Sequence, residues 1–133
     1  MLRIQTLYLL LSALINFAIA FFSHLKDDEL LSLSGLSLFS INLFWLIANT
    51  GAALNILEIF LYKNINNQYR TVRFNNAIYF IILLYVVFIA IFNKSSVLLI
   101  PILGILLSLI FSLIATKNIK KDIDLLTSSN RLR

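Results

Sequence analysis

The chain has no cysteine, a single proline, three glycines and one histidine in 133 residues. Without cysteine there are no disulfides, thiolate metal sites or cysteine nucleophiles. With His24 as the lone imidazole, no Ser-His-Asp triad can be assembled. Charge is also scarce. Only 13% of residues are charged, against about 25% in a soluble domain. No metal-ligand cluster, phosphate-binding loop or cofactor motif appears, so the residues point to a non-enzyme with no metal and no cofactor.

What fills the chain is apolar: 60% of the residues are hydrophobic, beyond the roughly 45–50% of a soluble domain. Four apolar stretches, at about 4–22, 38–62, 77–92 and 97–115, are each near the ~20 residues that cross a bilayer. The expectation is all-α: one domain over 1–133, an integral membrane four-helix bundle with a cytoplasmic tail at 116–133. The first stretch is read as a retained span rather than a signal peptide. Its n-region holds only Arg3, and Phe21 and Phe22 crowd the site after Ala18-Ile19-Ala20.

The net charge of +5 reads as a topology signal and not as a nucleic-acid footprint. Arg3, Lys63, Arg70, Arg73, Lys117, Lys120, Lys121, Arg131 and Arg133 fall on one side of the expected spans. Lys26 and Lys94 alone fall on the other. A Lys/Arg excess marks cytoplasmic loops, so both termini are expected in the cytoplasm of a multi-pass bacterial inner-membrane protein. Asp27, Asp28 and Glu29 then lie outside, as a solvated turn, and the conformation of 24–37 stays open.

Within the spans, Asn16, Asn42, Asn49 and Asn55 read as interhelical glue, and Gly51, Gly104, Ser108 and Ser112 as helix-packing positions. Ser95 or Ser96 is the expected N-cap of the fourth helix, and Pro101 falls in its first turn, where proline is tolerated. Residues 63–76 read as a polar cytoplasmic loop. Ile119, Ile123 and Leu126 predict an amphipathic helical extension of the fourth span. Glu58 is the one ionisable side chain inside a span. It reads as a structural partner of Arg3, Arg73 or Lys117, or else as a proton or cation site.

The opening Arg3-Ile4-Gln5-Thr6-Leu7-Tyr8-Leu9-Leu10-Leu11 and the closing Ile119-Lys120-Lys121-Asp122, Leu125 and Asn130-Arg131-Leu132-Arg133 resemble the end motifs of a four-helix membrane family of Bacteroidota. That family is catalogued as a domain of unknown function, number 4293. Members often show a fuller basic start and an acid where Asn130 stands, and this chain departs at both. The resemblance implies a bacterial envelope protein without implying an activity.

Its motif residues gather at the cytoplasmic ends. The leading expectation is therefore an accessory or scaffold subunit of a larger inner-membrane complex, for export or envelope biogenesis. It would dock on lipid or partner through Arg3, Gln5, Lys117, Lys120, Lys121, Asp122, Arg131 and Arg133, and through lipid-facing small-residue stripes. The alternative is a small oligomeric transporter or channel using Glu58. Expected partners are membrane lipids and a larger complex or a second copy, with no nucleic acid.

Overall fold

A computed structural model describes residues 4–25, 39–93 and 98–131. They form four helices: α1 (Ile4–Leu25), α2 (Phe39–Phe60), α3 (Ile65–Asn93) and α4 (Leu99–Arg131). Three carry stretches long and apolar enough to cross a membrane: Ile4–Phe22, Ile65–Ile91 and Leu99–Ser128. Helix α1 packs against α2 and α4, and α3 packs against α4 and along a shorter stretch of α2. This puts α1 across the bundle from α3.

The buried positions explain why the helices associate this way. On α1 they include the series Gln5, Leu9, Ser12, Asn16 and Ile19, with Thr6, Ala13 and Ala20 beside it; on α4 they include Ile105, Ser108, Ser112, Ala115 and Ile119, after Pro101. Both series step by alternating fours and threes, which keeps one seam of each helix facing its neighbours in a left-handed bundle. The middle of the seam is polar, with Leu9, Ile19, Ile105 and Ile119 toward its ends, while other Leu, Ile and Phe side chains point outward at positions such as Leu14, Phe17, Phe80, Ile81, Leu103 and Leu107. In lipid the outer surface needs no burial, and close packing and hydrogen bonds hold the seam.

Two apolar clusters bracket the polar middle. One gathers Ile19, Ala20, Ala48, Val86 and Ile105. The other gathers Leu9, Val72, Ala115 and Ile119. Tyr8 stacks on Phe111 at 6.2 Å between ring centres, joining α1 to α4 at the second cluster's level.

The structure corrects the expected loop at 63–76. Only a 3-10 turn at Leu61–Lys63 and Asn64 separate α2 from α3, and α3 begins at Ile65. Asn64 closes the gap by capping. Its carbonyl accepts from Gln68 N at 2.9 Å and its side chain from Asn67 N at 3.4 Å, as an N-cap asparagine does. Polar residues read as loop are helical because Gln68 and Asn75 are buried on one face with Val72, while Arg70 and Arg73 are exposed on the other. Helix α4 begins at Leu99, with Ile102 N bonded to Leu98 O at 3.1 Å. Ser95 and Ser96 lie outside the described residues. Pro101 sits in that first turn, and α4 continues unbroken through the tail to Arg131.

Candidate functional site

The centre of the bundle is a continuous hydrogen-bond network among all four helices. Asn55 on α2 is its hub. Its amide donates to Ser12 Oγ at 2.9 Å and to Tyr79 Oη at 2.9 Å. Its Oδ1 accepts from Asn75 Nδ2 at 3.0 Å. Asn16 donates to Tyr79 Oη at 2.6 Å and to Ser12 O at 2.9 Å. Ser12 Oγ donates to Ser108 O at 3.2 Å, and Ser108 Oγ returns a bond to Ser12 O at 3.4 Å. Every one of these side chains is buried.

Two glycines make the space. A Cβ on Gly51 would stand 3.1 Å from the ring and hydroxyl of Tyr79, and one on Gly104 would stand 2.7 Å from Ile19 Cδ1 and Cγ1. Gly51 thus lets the Tyr79 phenol reach Asn16 and Asn55, and Gly104 lets α1 close on α4. Gly104, Ser108 and Ser112 all serve α4's inner seam. Gly104 and Ser108 meet α1 and Ser112 is buried beside them, so these helix-packing positions face into the bundle and not toward lipid.

One turn nearer the chain ends, the network stops being satisfied. Glu58 is 1% exposed, and neither carboxyl oxygen has a hydrogen-bond partner. The Asn75 side chain lies against the carboxyl. Asn75 Oδ1 and Ser112 Oγ are likewise buried and unpartnered. Gln68, also buried, donates to the main-chain oxygen of Glu58 at 3.0 Å and leaves its own Oε1 unbonded, as Gln5 leaves its Nε2. Such orphans are few in most proteins, and each calls for a cause.

The ion pair expected for Glu58 is not made with the cations that are described. Arg73 is exposed, with its guanidinium 5.7 Å from the centre of the Tyr69 ring, and Lys117 is exposed. Arg3 lies outside the described residues. No group of three or more His, Cys, Asp or Glu side chains capable of holding a metal occurs among the described residues.

Of the expected docking residues, Lys117, Lys120 and Lys121 are exposed along α4, and Asp122 is half-buried. Gln5 is 2% exposed, so it belongs to the seam and not to an outer surface. Arg3, Arg133 and the Arg131 side chain lie outside the described residues. The sequence reading missed Gln68, Asn75 and Tyr79. Their spacing with Val72, four then three then four, is the signal that marks a helix face.

A family described as a domain of unknown function (DUF4293) matches residues 1–132, and the chain belongs to it. No curated protein and no solved structure matches.

Proposed function

We propose that this DUF4293 member is a small non-enzymatic subunit of a larger bacterial inner-membrane complex, with four spans and both termini cytoplasmic. One observation carries the reading. Helix α4 runs about 18 Å past Ile119, its last fully buried residue, at 1.5 Å per residue. That stretch exposes Leu125 and Leu126 together with Lys120 and Lys121. Cations at the inner surface hold anionic lipid, but exposed leucines beyond the bundle are what a partner helix or groove covers. Copurification from native membranes in mild detergent tests this. A stoichiometric large partner is expected, and it should be lost from Leu125→Asp/Leu126→Asp and from Arg131→Glu/Arg133→Glu. Retention by both variants removes the docking reading at these residues.

A second reading, an oligomeric transporter or channel using Glu58, is favoured by the buried carboxyl without a partner. Ionisable groups inside membranes mark ion and proton routes. Transport lost from Glu58→Gln with assembly intact would select it.

A further inference from the structure

We propose that Glu58, Asn75 and Ser112 form a binding site for one alkali cation, Na⁺ being the first to try. The register of the bundle sets them at one level. Ser12 bonds to Asn55 and Ser108, and α2 and α4 run antiparallel to α1. Moving three or four residues from Ser12 toward the start of α1 therefore reaches the level of Glu58 on α2 and Ser112 on α4. Asn75 is tied to Asn55 and lies against the Glu58 carboxyl.

All three residues are at most 1% exposed. They present four unpartnered oxygens: Oε1 and Oε2 of Glu58, Oδ1 of Asn75 and Oγ of Ser112. The Asn75 nitrogen is anchored by Asn55 Oδ1, which fixes the amide and leaves its Oδ1 without a partner. Gln68 donates to the Glu58 main-chain oxygen, and its Oε1 and Gln5 Nε2 are also buried without a partner.

The chemistry favours a small hard cation. Carboxylate, carbonyl and hydroxyl oxygens suit such ions. One positive charge beside one carboxylate leaves the site neutral where the dielectric is low, whereas a divalent ion would leave a net charge. The charged and titratable groups around Glu58 do not supply the charge themselves. Tyr79 faces it from α3, Tyr8 is half-buried on α1, and Arg73 and Lys117 on α3 and α4 are exposed.

The site goes beyond the docking reading and deepens the transporter reading by naming what Glu58 would carry. The test is on the full chain purified in mild detergent. Thermal unfolding is followed in NaCl, LiCl and KCl against choline chloride at equal ionic strength, alongside equilibrium binding of radioactive sodium. A saturable rise in Tm with an alkali cation, absent in choline, and about one ion bound per chain are expected, since a ligand held by the native state stabilises it. The rise should shrink as pH falls, because protons compete for the carboxylate that the cation needs.

Glu58→Gln should abolish both signals, and Ser112→Ala, which is small and fold-compatible, should weaken binding roughly tenfold or more. Identical Tm in choline and every alkali chloride overturns the proposal. So does a cation response that survives Glu58→Gln, or a dependence on pH alone, which would make the occupant a proton. Cation binding without flux into vesicles leaves the site standing and removes the transporter reading. Loss of the cation response with partner copurification intact does the reverse for the docking reading.

Discussion

Asn55 and Gly104 fix the bundle by opposite means, one by bonds and the other by the absence of a side chain. Asn55→Ala removes the donor to Ser12 and Tyr79 and the acceptor for Asn75 at once. Interhelical polar contacts in membranes average about 0.6 kcal/mol and reach about 1.7. A loss of roughly 1–2 kcal/mol is therefore expected, read as a lower Tm in detergent. Gly104→Ala should cost about 1–3 kcal/mol, the usual penalty for overpacking, because its new methyl would meet Ile19 at 2.7 Å. Ile19→Ala opens that space. The double variant should lose clearly less than the sum of the two singles. Strict additivity would mean that α1 and α4 do not touch at Gly104.

At the scale of the element, α3 is where the structure departs most from the reading of its residues. Its first three turns hold Asn66, Asn67, Gln68, Arg70, Arg73, Asn75 and Asn76, a composition that in water belongs to a loop. Helix is favoured here because Gln68, Val72, Asn75 and Tyr79 turn one polar seam toward α2 and α1, while Arg70 and Arg73 face out. Proline at the exposed Arg70 position checks this. A loop would accept it, whereas a helix loses about 3 kcal/mol or more, so Arg70→Pro should sharply lower Tm. The apolar stretches at 4–22 and 97–115 were legible because bilayer thickness demands a run of that length, and the extension through Ile119 and Ile123 because its period is helical. The surroundings of Glu58 were not. Side chains that bond across helices sit far apart in sequence, and Asn75 and Ser112 meet its level only once the register is set by Ser12.

For the molecule as a whole, the proposed orientation rests on the charge distribution, and the lack of cysteine makes it measurable. Exposed Lys63, Arg70, Arg73, Lys117, Lys120 and Lys121 lie where α2 passes into α3 and where α4 leaves the bundle, and so at one end of it. In the proposed orientation this Lys/Arg-rich end faces the cytoplasm, where anionic lipid adds about 1 kcal/mol per cation near the surface. With no native thiol, a single introduced cysteine reports its own side of the membrane. Ser128→Cys, exposed on the α4 extension, should react with a membrane-impermeant maleimide only after the inner membrane is opened. Ser34→Cys, in the segment expected outside, should react on intact spheroplasts. The reverse pattern would place the α4 extension and its leucines outside the cell. The docking reading would then lose its cytoplasmic partner, and the level of Glu58 would lie near the outer surface.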